Sequence, residues 1–518
     1  MRKLTGVLLA LAASATMFAQ DFYYNNGAEP QSLDPAKITG VPEHHIYMSL
    51  FEGLMVNNAK TAKGEPGLAE SWKVSADGKT YTFKLRKASW SDGTPITAQT
   101  VVDSWFRTLD PKTASEYAQM VYDNLEGGKA YYEGAGKVGK DTVKIKAVDA
   151  QTLEATFVGP MPYIIDMLAH YAWAVMPMHA IQKFGNDWTK PANFVGNGPF
   201  VLKEWKPQDR LVVVKNDKYW DAKNVKLKSV TFLPIEDNAT AYDKFKAGEI
   251  DAWSDIDPAR IDEIKLRKDY QHGPGSTVYY YIFNVTRKPF DNVKVRKAFS
   301  MAIDRKTLVE QILKGGQVPT GGLVPKFGTF ETTKGNTFNP EEAKKLLASA
   351  GYPGGKGFPK FEVIYNTHAT HKKVAEWVQQ QWKTILGVDV ELKNLEWATF
   401  LDTRQKAHDF AVSRAGWAAD FPDPTNYLAE LLKTGSGNND GLYSNKKADA
   451  LIEKANKMPG GAARDKVLME AEDIMIKQDQ AFAPFYFYVN QNLIDLNKWG
   501  GWYENSMNIH PWKTIYKK

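Results

Sequence analysis

The chain contains no cysteine in 518 residues, so whatever it folds into is held by buried apolar surface and hydrogen bonds alone. That excludes a disulfide scaffold, a thiolate nucleophile and a cysteine metal site. A chain of about 500 residues buries ample apolar surface without staples, and it exceeds what one core holds, so two or three lobes are expected. No repeat and no Pro- or Gly/Ser-rich linker interrupts it. Lobes without visible linkers are expected to be joined by several short crossings of the chain.

Residues 1–19 read as an export leader: Arg2 and Lys3 precede the apolar run GVLLALAASATMFA, with a cut expected after Ala19. The run falls short of the ~20 apolar residues of a membrane span. A later apolar stretch, MPYIIDMLAHYAWAVMPMHA, carries Asp166 and two histidines, which suits a buried helix and strand edge rather than lipid. The mature chain is therefore expected to be soluble, and with no cysteine at the cut no lipid attachment is expected. The formal charge of +6 falls by two, to +4, once Arg2 and Lys3 leave with the leader. With 66 basic and 60 acidic side chains and no arginine-rich run, the surface is balanced, which argues against nucleic-acid binding.

Local signals alternate strand and helix. Residues 21–55 begin with a short extended run, pass through the Pro-rich EPQSLDPAKITGVPEHH and enter a helix. Asp77-Gly78 predicts a hairpin, and Thr97 predicts a helix cap with Val101, Trp105 and Leu109 along one side. From 196 two strands flank Pro207-Gln208-Asp209, and NATAYDKFKAGEIDAW reads as a helix stopped by Gly248. After about 275, STVYYYIFNV is an aromatic strand, VKVRKAFSMAIDRKTLVEQIL one long helix, and Asn339, Glu342 and Gly351 bound a capped helix. PFYFYVNQNLIDL reads as one or two strands returning toward the first part. The pattern is mixed α/β, with breaks near 196 and 275.

No catalytic assembly emerges: there is no glycine-rich phosphate loop, no G-x-S-x-G elbow and no H-E-x-x-H helix. His368 and His371 stand three apart beside Asn366, a spacing open to metal or to hydrogen bonding, and the adjacent His44 and His45 read as loop or helix-start residues. The 15 Trp and 24 Tyr serve mostly as core, while some sit beside turns where amphipathic rings suit a broad cleft. SRAGWAADFPDPTNYL places Arg414, Trp417, Asp420 and Asp423 between a strand and a helix starting near Pro424. Either acid could cap that helix or present a carboxylate to a cationic ligand group.

Taken in order, EPQSLDPAKITGVPE with LFEGL, SWKVSADGKTYTFKLRKASWSDGTPITAQTVVDSW, GNGPFVLKEW, VRKAFSMAIDR, EAKKLLASAGYP, YNTHATHKK, EWATFLDTR and GWAADFPDPTNYL cover nearly the whole mature chain. With these segments the chain resembles the oligopeptide-binding proteins of ABC importers, within extracellular solute-binding family 5. The resemblance implies a type II, three-lobed periplasmic-binding-protein fold. Its two mixed-sheet α/β lobes are joined by a hinge: lobe I at 20–51, 177–275 and 489–518, and lobe III at 276–488, with the smaller lobe II at 52–176. It implies a monomeric, non-enzymatic binder, without cofactor or metal, that takes extended peptides of about two to five residues by strand addition and delivers them to an inner-membrane permease from the periplasm. The implied strand edges are Thr39, Gly40 and Val41, and Ala415, Gly416 and Trp417. Asp420 would meet the ligand ammonium, Arg414 and His371 its carboxylate, Trp397 and Trp417 its side chains, and Tyr117 would close over it. Two departures stand out: Thr39 replaces an acid, weakening the expected preference for basic side chains, and Ala418 replaces a cysteine that some members use in a disulfide. A further family lysine aligns at Leu313, with Lys314 next door. The alternatives are the same fold with another solute (dipeptide, metal complex or oligosaccharide) and, remotely, a secreted glycoside hydrolase with paired carboxylates.

Overall fold

The computed structural model describes residues 20–134, 137–254 and 256–518, so the leader expected at 1–19 lies outside the described residues. Eleven strands form one sheet. At one end Asp21–Asn25 lies parallel to Ser229–Leu233 and meets Ala252–Trp253, with the hairpin Phe200–Lys206 and Arg210–Lys215 outermost. At the other, Glu362–Asn366 lies parallel to Glu391–Leu395 and to the start of Val412–Ala418. Two long antiparallel strands, Tyr270–Phe283 and Phe482–Ile494, join the groups. Their run of Val, Tyr and Phe is buried on both faces, as a strand covered from both sides must be. The register between them slips from Pro274↔Val489 to Val278↔Phe487. Such an irregularity bends a strand without breaking it, and it falls where the resemblance puts the crossings at 275 and 489.

A separate antiparallel sheet has the order Ala69–Val74, Thr80–Leu85, Thr152–Thr156, Ile145–Asp149. The Asp77-Gly78 hairpin joins its first two strands, with Gly78 at φ 74°. Helix Ala98–Leu109 packs on it, capped reciprocally by Thr97 and Thr100, and buries Val101, Trp105 and Leu109 completely. The chain leaves for this region and returns from it through two segments stitched together. Asn197 accepts from the Glu52 N–H at 3.0 Å and donates to its carbonyl at 2.7 Å, and the Gly198 N–H donates to Leu50 O at 3.0 Å. A Cβ on Gly198 would stand 2.5 Å from the Phe51 nitrogen, so only glycine permits the approach.

Two expectations change. The single helix over 293–313 is two, Val293–Met301 and Arg305–Thr307, the latter continuing in wider turns to Leu313. Asp304 starts the second by accepting from the Thr307 N–H at 3.0 Å, so a cap inside the apolar pattern overrides its period. The stretch MPYIIDMLAHYAWAVMPMHA holds only short helical pieces, Ile164–Met167, Tyr171–Trp173 and the start of Met178–Phe184, with no strand. Of the two roles open to Asp423, the structure shows the cap: it accepts from Thr425 at the helix start and forms two 2.8 Å bonds with the buried guanidinium of Arg464. Asn339 caps Pro340–Ser349 as the sequence predicts, and the C-terminal aromatic run is one strand. Among the described residues no helix is long and apolar enough to cross a membrane.

Candidate ligand-binding cleft

A cavity of ≈ 390 Å³ opens between the elements above, and ten of the eleven residues expected at a ligand line it: Thr39, Gly40, Val41, Tyr117, His371, Trp397, Arg414, Gly416, Trp417 and Asp420. Ala415 does not. On Val412–Ala418 the twofold alternation turns Arg414, Gly416 and Ala418 to one face and buries the Ala415 methyl on the other. Its backbone still belongs to the edge in question. One side of this strand pairs with Tyr270–Phe283 along its length, whereas on the other the neighbour Glu362–Asn366 pairs only as far as Ser413. Among the described residues no strand covers 414–418 on that side.

At one end stands Asp420. Its Oδ2 accepts from Asn426 Nδ2 at 2.9 Å and from the Tyr117 hydroxyl at 3.4 Å. His170 brings Nε2 to 3.1 Å from Oδ1, off the axis of a good hydrogen bond, so that contact is electrostatic. The Ala172 N–H donates to His170 Nδ1 at 3.3 Å, which leaves a neutral ring's hydrogen on the nitrogen facing the carboxylate. Asn426 Oδ1 also accepts from the Asp420 N–H and the Trp417 indole, both at 2.9 Å. His170 and Asn426 escaped the sequence reading, whose only available signal was a polar residue inside an apolar stretch.

At the other end Arg414 donates to Asn366 Oδ1 at 3.1 Å and lies 5.1 Å over the Tyr279 ring. Tyr279, Tyr281 and Tyr486 are buried around it, Tyr279 and Tyr486 stacked at 4.9 Å. Their hydroxyls, Arg414 Nε and His371 Nδ1 form no hydrogen bond of good geometry among the described residues. Burial, then the Arg414 charge, holds His371 well below its ordinary range, so it stands here as a neutral imidazole rather than a cation. His368 and His371 approach to 4.4 Å between ring centroids, but His368 caps the helix Ala369–Gln381 by accepting from Thr370, and no cluster of three possible metal ligands occurs among the described residues. Leu313 lines the cavity while Lys314 turns to Asp262 at 3.4 Å, so that segment offers no cation.

The third wall is the loop before helix Val41–Leu50. A Cβ on Gly40 would meet Glu43 Oε2 at 2.2 Å and Trp397 at 3.0 Å, so a larger residue beneath Trp397 would have to displace the buried Glu43 carboxylate. Gln405, its amide turned to suit its neighbours, donates to Thr39 Oγ1 and Glu116 Oε2 and accepts from Arg404, each at 3.3 Å. Glu116 thus sits where three chain regions meet. Burial, then the negative charge of Asp440, pushes its carboxyl up to about 7, against the pull of Arg404 and Lys406. Close by, Lys433 and Asp123 form a buried ion pair at 2.6 Å.

This arrangement defines a binding cleft, and the chain belongs to the bacterial extracellular solute-binding proteins, family 5, which match residues 63–439. Membership makes it a solute-binding protein and not an enzyme. OppA of Salmonella typhimurium, a periplasmic oligopeptide-binding protein, is 38% identical over 542 residues, covering 99% of this chain and 96% of that protein. The structure of Haemophilus influenzae OppA in complex with RPPGFSPFR matches with a TM-score of 0.91 at 32% identity, over 96% of this chain and 99% of that one. The murein tripeptide-binding protein MppA of Escherichia coli gives 0.90 in one structure and 0.64 in its unliganded open form, each 34% identical over 96% of this chain and covering 99% and 98% of theirs. With sequence and coverage alike, the gap reports conformation: the present chain is not in the open arrangement.

Proposed function

We propose that this protein captures short peptides in the periplasm as extended strands and delivers them to an inner-membrane ABC permease. The observation that carries the reading is a free strand edge in one cavity with an acid, Asp420, at one end and a base, Arg414, at the other. A zwitterionic strand complements all three: its backbone adds to 414–418, its ammonium meets Asp420, and its carboxylate meets Arg414, with His371 as a neutral donor. Six residue steps of about 3.3 Å put an upper limit of ~20 Å on the span, which favours ligands of no more than about five residues. Trp397 and Trp417 offer flat rings to varied side chains without selecting one. Tyr117 and His170 come from 52–176 and Asp420 from 276–488, so a ligand seated at Asp420 favours the closed arrangement of these lobes, with the register slip at 274–278 as hinge. The OppA and MppA relatives, named for oligopeptide and murein tripeptide binding, support a peptide as the solute, while the nine residues of RPPGFSPFR exceed the length favoured here.

Native mass spectrometry of protein purified from cells tests it. Peptide masses of mixed sequence are expected on the folded protein; a single sugar or metal-complex mass would replace the peptide reading with another solute.

A further inference from the structure

Asn426 is fully buried in the first turn of helix Thr425–Leu432, and it does not line the cavity. One side-chain amide nevertheless ties three elements together. Its oxygen uses both lone pairs, on the Trp417 indole at the end of the strand and on the Asp420 N–H in the loop, while its nitrogen donates to Asp420 Oδ2, all at 2.9 Å. We propose that Asn426 is a positioning residue that sets Asp420 and Trp417 as one rigid unit and thereby creates the preference for a free peptide N-terminus. The proposal rests on the reading of Asp420 as the ammonium anchor.

The chemistry requires an amide. The group must accept from two N–H donors and donate to a carboxylate at once, and a planar carboxamide does both. Leucine, of similar volume, leaves the indole and backbone N–H groups buried without partners. Aspartate puts a second negative charge 2.9 Å from the first, where the two must share a proton. Asn426 also answers the Ala418 departure. Where some relatives would restrain this loop by a disulfide, three hydrogen bonds to one buried amide hold strand end, loop and helix together.

The test is calorimetry with trialanine and N-acetyl-trialanine on the unmodified protein, N426L and N426D. In N426L the ratio of free to acetylated affinity is expected to fall by about tenfold, the worth of one charge-assisted hydrogen bond. The acetylated peptide's own affinity should change by less than about threefold, because it never used the anchor. A general loss of packing would weaken both peptides alike. A ratio in N426L within about threefold of the unmodified protein overturns the positioning role while leaving Asp420 as anchor. No preference for the free amine in the unmodified protein overturns the anchor and the proposal with it. Should N426L fail to fold, the nearly isosteric N426D decides. Its free-amine preference is expected to depend more steeply on pH than that of the unmodified protein, and an unchanged profile overturns the proposal.

Discussion

The two ends of the cleft solve opposite problems with similar burial. Around Asp420 the surroundings are spoken for: Asn426, Tyr117 and His170 converge on one carboxylate and fix it before a ligand arrives. Around Arg414 the reverse holds: among the described residues lining the cavity there, the Tyr486 hydroxyl, Arg414 Nε and His371 Nδ1 have no good hydrogen bond, while Tyr279 and Tyr281 lie behind them in the core. Every peptide presents its ammonium at the same place relative to its first residue, so a rigid acceptor serves all of them. On the proposed reading the carboxylate moves with peptide length, so the few spare donors of Arg414, His371 and Tyr486 would serve better than one pre-set partner.

Asp420→Ala should produce the largest effect. It removes the fixed end and leaves a ligand ammonium in a dry site, so affinity for a free-amine tri- or tetrapeptide is expected to fall at least a hundredfold. Acetylating the peptide should do the same to the unmodified protein, and calorimetry showing neither loss would break the comparison outright. Arg414→Met removes one donor among several, and a loss of about ten- to a hundredfold is expected, unequal between peptides of two, three and four residues. Equal losses at every length would mean that the basic end is as fixed as the acidic one. Smallest is the effect at Glu116, outside both ends. Its carboxyl titrates at about 7 in the closed arrangement, above the ordinary 4.5. Its contribution is therefore complete below pH ~4.5 and lost as pH rises to about 7, so closure should weaken between about pH 4.5 and 7. Glu116→Gln should flatten that part of the profile, compared with the unmodified protein under the same titration of the peptide amine. An identical profile in the two proteins would remove Glu116 as its source.

Features set by neighbours in sequence were legible in advance. The Asp77-Gly78 hairpin, the Thr97 and Asn339 caps and the stop at Gly248 each depend on residues within a few positions, and each is found as expected. The break at Ala302 was equally local but hidden, because Asp304 reads as a surface residue until it is seen to cap. The stretch holding Arg414, Trp417 and Asp420 stood out from its own residues, whereas their separate ligand roles, and Tyr117 altogether, were reached only through resemblance. His170 was out of reach: it meets Asp420 across 250 residues of chain, and nothing in AHYAW says which acid it will face. The neutral state of His371 likewise follows from burial against Arg414, which no pattern encodes. Ala415 shows the limit from the other side. It belongs to the right segment, and only strand alternation decides that its methyl points away while its backbone stays at the edge.

The strands that cross between the two halves of the large sheet carry a consequence for how the molecule can be divided. Because Tyr270–Phe283 and Phe482–Ile494 are bonded to each other and to neighbours in both halves, no cut through them yields two self-sufficient pieces. Either fragment would begin or end with half a strand and a raw row of amides and carbonyls ready to pair with another copy. On the proposed reading, the same continuity would make opening a change in the twist of one fabric rather than a parting of strands. A receptor of that kind would cycle between its states without partly unfolding.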